Sequence, residues 1–211
     1  MSKLSIEDLV ADLKPSRQVS PRDAYMGVGL AVGLLISVIA MEFGLRDDVM
    51  AGSPEPLVMI RGGTLLLLAF AALASVIASA RPGVGQSSNG WMWALAAAAL
   101  FPVTSIFASI IKGSMPMEEL TATSGFACIA FSAAGALLVG GGLTVWLRQG
   151  APTAIERTSW LVGLAAGSFG NFAYSLHCPS DTVHYVGIWY TLVVALCAVG
   201  GRLILPKLIR W

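Results

Sequence analysis

Two thiols and an imidazole stand out in the 211-residue chain: Cys128, and the adjacent pair His177 and Cys178. A thiolate is the group that soft metal ions and oxidants seek, and a neighbouring imidazole can extend such a ligand set. Cys128 lies about seven residues, or roughly 10 Å at the helical rise, from the outer end of its apolar segment. Cys178 closes the next apolar segment on the same side. If the earlier helix starts late, or the later one unwinds near Pro179, the two sulfurs meet, which permits a disulfide in an oxidising compartment or joint ligation of a soft ion. His184 and Asp181 share the turn with His177, where imidazole and carboxylate either complete a metal site with Cys178 or orient one another. The same residue types also occur as solvated interfacial histidine and as small apolar cysteine. Cys197, deep in the last segment, has no such neighbours and reads as core.

The elements that carry these groups are membrane helices. Hydrophobic residues make up 56% of the chain and charged residues 12%, with mean hydropathy +0.76, too apolar for a water-soluble core and its polar shell. Spanning a bilayer takes about 20 apolar residues. Segments of that kind run near 25–43, 57–80, 91–111, 120–147, 159–176 and 183–205, so the expected fold is all-α, an integral membrane six-helix bundle. The first apolar run follows a polar stretch and is full length, which does not fit a cleavable signal peptide. Lys3, Lys14, Arg17, Arg22, Arg81, Arg148, Arg157, Arg202, Lys207 and Arg210 fall on one side, and Arg46, Arg61 and Lys112 on the other. Retention of positive charge in the cytoplasm then places both termini inside and Cys178 near an outer turn.

Within the spans, Glu42 and Arg61 are expected to pair across the first helical hairpin, and Asn171 to bond a neighbouring helix, because polar groups in lipid need partners. Gly29 and Gly33, Gly163 and Gly167, and the run Gly140 to Gly142 have the spacing of close helix contacts. Pro102 interrupts the backbone bonding of the third span, leaving a carbonyl for Thr104, Ser105 or a neighbour to satisfy. Trp91, Trp93, Trp146 and Trp211 stand near span ends, as anchors at the membrane interface do. No CxxC, HExxH or phosphate-binding loop occurs, there is no internal repeat, and mid-membrane polar residues are few. These absences point away from an enzyme and from a repeat-built transporter.

The chain divides at residue 24. Residues 1–24 hold a short amphipathic helix in which Ile6, Leu9, Val10 and Leu13 form one stripe, with Glu7, Asp8 and Asp12 turned elsewhere. Ser5 and Asp8 have capping-box spacing, and Pro15 ends the helix. It is shorter than the ~12–15 residues that hold a helix in water, so it needs a surface. Its acidic face suits a basic protein with an apolar groove better than anionic lipid. The simpler reading is a tail that only sets topology. Residues 25–211 form the membrane domain.

The stretch Asp12-Leu-Lys-Pro-Ser-Arg17, Cys128, the motif Tyr174-Ser-Leu-His-Cys-Pro-Ser-Asp181, Trp189-Tyr190 and the closing Leu208-Ile-Arg-Trp211 together resemble the NrsF family of bacterial six-span membrane anti-sigma factors. That resemblance implies a protein of the inner membrane that sequesters an extracytoplasmic-function (ECF) sigma factor and releases it under heavy-metal or redox stress. It implies that Cys128 and Cys178 take part in sensing, with His177 added on its chemistry, and that the N-terminal segment holds the sigma factor. Ile6, Leu9, Val10 and Leu13 are then the anchors, and Glu7, Asp8 and Asp12 face its basic surface. No resident cofactor and no nucleic acid is expected. A heavy-metal ion is a transient ligand at Cys128, Cys178 and His177, and lipid is the surrounding partner. The alternative is a small metal-ion transporter or efflux protein that binds cargo at the same three residues; a membrane thiol oxidoreductase is the further rival.

Overall fold

The computed structural model describes residues 20–80, 90–112, 123–150, 152, 154–180 and 182–209. Among them the secondary structure is helical throughout, and the all-α expectation is met. Six long helices stand where six spans are expected: α1 Pro21–Glu42, α2 Pro56–Ser79, α3 Gly90–Lys112, α4 Thr123–Leu147, α5 Ile155–Ser175 and α6 Thr191–Ile209. A helical turn Val183–Tyr185 and a π-helical turn Val186–Tyr190 lead into α6 without a break. The N-terminal helix expected over residues 5–14 lies outside the described residues.

Local chemistry marks the ends. Pro21 and Pro56 open α1 and α2 at first-turn positions, where a missing N–H costs nothing. Gly44, with φ +77°, ends α1 in the left-handed conformation that glycine enters freely. α3 runs through Pro102, and the Thr104 hydroxyl donates to the Leu100 carbonyl at 2.9 Å.

Four stretches are long and apolar enough to cross a membrane: Pro21–Glu42, Pro56–Ser79, Gly125–Leu147 and Val183–Ile209. α3 carries a shorter apolar stretch, Ala98–Phe107. α5 falls short because Glu156, Arg157, Ser159, Ser168 and Asn171 dilute it, yet it is the most enclosed helix, buried from Leu161 through Asn171. It is the central post, packed on α2, α4 and α6.

Glycine makes that packing possible. A Cβ on Gly163 would stand 2.7 Å from the Cα of Ala198 in α6, and one on Gly170 would stand 2.8 Å from the backbone nitrogen of Ala136 in α4. Gly201 answers from α6, where a Cβ would come within 2.9 Å of the Gly163 Cα. In lipid, where apolar side chains gain nothing by leaving their surroundings, such backbone approach and its dispersion contacts hold helices together. Gly29 and Gly33 do not serve this purpose: a Cβ on either meets nothing within 4 Å. Their spacing alone did not reveal that this face of α1 looks outward.

The chain runs up and down, so helix ends gather at two levels. At one, the Trp146 indole donates to the Ser20 carbonyl at 3.1 Å and the Thr158 hydroxyl to Ser79 Oγ at 3.0 Å. Trp146 is buried there, a tie between α4 and the start of α1 rather than an interfacial anchor. The other level holds the His177-Cys178 turn.

Candidate functional site

The Cys178 end is built around the last turn of α5 and the turn that follows. The final carbonyls of a helix have no partner within it and carry the negative end of its dipole. Arg61 of α2 meets them. Its Nη2 donates to the Ser175 carbonyl at 2.8 Å and the Cys178 carbonyl at 3.2 Å, and its Nη1 donates to the Ser180 carbonyl at 2.7 Å. The Arg61 residue is only 1% exposed, and its guanidinium carbon lies 5.9 Å from the centre of the Tyr190 ring. A buried cation is tolerated where several oxygens replace its water.

The expected Glu42–Arg61 pair does not form. Glu42 is exposed at the end of α1, and Arg61 reaches carbonyl oxygens instead. A second arginine joins from the α1–α2 loop: Arg46 Nη1 donates to the same Cys178 carbonyl at 3.0 Å, and its backbone N–H donates to the Leu176 carbonyl at 3.1 Å. Arg46 is itself fixed by Asp48, with Nε to Oδ1 at 2.9 Å. That guanidinium and the Glu55 backbone N–H lower the Asp48 carboxyl to a pKa of about 2.

His177 sits in an aromatic surround. Its ring centre lies 5.2 Å from that of Phe43 and 6.0 Å from that of Tyr174, and Phe131 stacks on Tyr174 at 6.0 Å. Its Nδ1 lies 2.9 Å from the Gly44 carbonyl. A carbonyl only accepts, so Nδ1 carries the proton and Nε2 keeps the lone pair in the neutral ring.

The two thiols share one buried cluster with Ile39, Tyr174, Tyr185, Trp189 and Tyr190. Cys128 is 0% and Cys178 1% exposed, and both are free, without a disulfide. Cys128 Sγ lies 3.8 Å from Asn171 Oδ1, which also accepts from the Ser132 hydroxyl at 3.2 Å. Asn171 Nδ2 donates to the Tyr190 carbonyl at 3.2 Å, at the end of the π-helical turn. Asn171 thus bonds across helices as expected, linking α4, α5 and the entry to α6. A π-helical turn shifts the backbone bonding register and recurs where a helix presents a special group.

Among the described residues no three His, Cys, Asp or Glu side chains gather round one point. His177 therefore does not join Cys128 and Cys178 in a three-donor set. His184 is buried, and its Nε2 has no hydrogen-bond partner among the described residues, while Asp181 lies outside them. Cys197 is half-buried against Gly167 of α5, in keeping with a packing role.

The whole chain from residue 9 to residue 211 matches the model of a protein family described as negative regulator of sigma F, NrsF. The chain belongs to the NrsF family. Two relatives cover most of its length and of their own. The probable anti-sigma-F factor NrsF of Azospira oryzae is 25% identical over 189 residues, covering 88% of this chain and 86% of the relative. The anti-sigma-F factor NrsF of Caulobacter vibrioides is 26% identical over 203 residues, covering 93% of each. No solved structure matches. The NrsF match takes in every residue of the arginine, aromatic and thiol network. It also takes in Leu9, Val10, Asp12 and Leu13, while Ile6, Glu7 and Asp8 precede it; all seven lie outside the described residues. NrsF is a regulatory family, and the comparisons do not favour a metal-ion transporter.

Arg46, Ser132 and the π-helical turn were not singled out by sequence reasoning. For Arg61 a signal existed, since an arginine inside an apolar segment needs a buried partner. Three of its partners are backbone oxygens, which leave no trace in residue type.

Proposed function

We propose that this protein is a six-span protein of a bacterial inner membrane that holds an ECF sigma factor through residues 1–24 and releases it under heavy-metal or redox stress. The observation that carries the reading is the family match over residues 9–211, together with curated relatives of the same length named as anti-sigma-F factors. Membrane residence draws support from the four long apolar helices. Orientation draws support from the basic residues: Arg22, Arg148, Arg157, Arg202 and Lys207 belong to the Trp146 level, which is then cytoplasmic.

In this reading Ile6, Leu9, Val10 and Leu13 dock in an apolar groove of the sigma factor, with Glu7, Asp8 and Asp12 toward its basic surface. Cys128 and Cys178 receive a thiophilic ion or an oxidant. Their shared cluster supports a joint response. Because both thiols are buried, the ligand acts only when the bundle opens to admit it, and it shifts the equilibrium only by favouring one helix arrangement over another.

Affinity capture of the detergent-solubilised protein from its host should retain a sigma factor, and added cadmium or chromate should release it. Leu9→Asp and Leu13→Asp should free sigma activity without stress. Recovery of the protein with no sigma factor attached, or full repression by both variants, would overturn the reading. Ser at both Cys128 and Cys178 should preserve repression and weaken induction; normal induction would remove the thiols from the mechanism.

A further inference from the structure

We propose that the groove between α4 and α6 binds one anionic phospholipid, with an acyl chain along its glycine-lined length and the phosphate on Arg148. The groove encloses about 510 Å³. Gly140 and Gly141 form one wall and Gly200 the other, with Val162 and Ala166 of α5 as the floor. Gly141 and Gly200 differ from the glycines that pack the bundle. A Cβ on Gly141 or Gly200 meets nothing within 4 Å, so their missing side chains open a channel rather than admit a neighbouring backbone.

Arg148 closes the channel at the Trp146 level. It directly follows the last residue of α4, the level at which an apolar span gives way to headgroups. Its Nε donates across the groove to the Leu208 carbonyl at 2.9 Å. That bond orients the guanidinium and uses one of its five N–H groups. The two Nη groups remain to meet a phosphate, whose geometry a guanidinium fork matches. Basic residues at an inner helix boundary, beside an apolar groove, are the arrangement that recognises acidic lipid headgroups.

An acyl chain has the cross-section of a single methylene. The inference rests on the membrane reading above but not on capture of a sigma factor.

The test is native mass spectrometry of the purified full-length protein with dioleoyl phosphatidylglycerol or dioleoyl phosphatidylcholine. Wild type should retain one phosphatidylglycerol with about tenfold preference, because the choline cation of phosphatidylcholine offsets its phosphate charge and repels Arg148, whereas the glycerol headgroup leaves that charge unopposed. Arg148→Gln should lose that preference and Arg148→Lys keep part of it, while Gly141→Leu, which fills the channel, should lose retention of both lipids. Helicity and a single elution peak check that each variant folds; should Gly141→Leu fail that check, the two Arg148 variants decide. Equal retention of both lipids by wild type, unchanged preference in Arg148→Gln, or a dimer that Gly141→Leu dissolves would overturn the proposal. If lipid preference is absent but the sigma factor is still captured, the lipid site alone fails.

Discussion

The two ends of the bundle are tied in different ways. At the Cys178 end, the buried guanidinium of Arg61 and the loop guanidinium of Arg46 converge on the carbonyls that close α5. At the Trp146 end, single neutral bonds join Trp146 to Ser20 and Thr158 to Ser79. The charged ties described there are exposed: Arg202 pairs with Glu156 at 2.6 Å with side chains 31% and 76% exposed, and the exposed Arg148 donates to the Leu208 carbonyl at 2.9 Å. The difference teaches where geometry is imposed. Charge withdrawn from water holds its partners in place because the alternative is an unsolvated ion, whereas water or lipid headgroups can replace exposed bonds at little cost. The thiols lie at the strictly held end.

Replacing buried charge should therefore break the comparison most severely. Arg61→Met keeps roughly the volume but takes this donor from the Ser175 and Ser180 carbonyls and leaves the Cys178 carbonyl to Arg46, and should destabilise the protein by about 3–5 kcal/mol. Thermal unfolding in detergent measures it, and a loss below about 1 kcal/mol would erase the distinction between the ends. Next is Gly170→Ala, whose methyl would enter the backbone of α4 and should cost about 1–3 kcal/mol. Asn171→Leu leaves the Tyr190 carbonyl and the Ser132 hydroxyl without this partner and should cost about 1–2 kcal/mol. Rescue by Asn171→Gln would show that side-chain length is not critical.

At the opposite end, Glu156→Gln should change stability by less than about 0.5 kcal/mol in the same assay. The Asp48 loop tests the sign of the charge effect. Its carboxyl is held at about 2, below the ordinary 3.8, chiefly by the Arg46 hydrogen bond. A depressed value means that the contribution is fully present above the unfolded pKa and disappears as pH falls through the folded one. Melting points of wild type and Asp48→Asn should then differ above pH 4 and converge as pH falls toward about 2.

Much of the architecture was readable from residue order. Apolar stretches of spanning length announce helices through the local cost of transferring backbone and side chains into lipid. Asn171 was readable for a similar reason, since an amide in an apolar helix must find a partner. The site was legible only in part. The Tyr174-to-Pro179 motif marked the right turn, but the matching spacings of Gly29/Gly33 and Gly163/Gly167 concealed opposite environments. Spacing places glycines on a helix face without saying which way that face turns.

The sequence alone determined the all-helical class, the six helical segments, the thiols near one end and the family. Each follows from composition, short-range periodicity or a contiguous motif. Tertiary structure decided that Arg61 serves the carbonyls of α5 rather than Glu42, that the least apolar long helix is the central post, and that Cys128 and Cys178 share one dry cluster. Those outcomes depend on how each helix rotates and how closely its neighbours approach, and backbone oxygens, the decisive partners here, are present at every residue whatever its side chain.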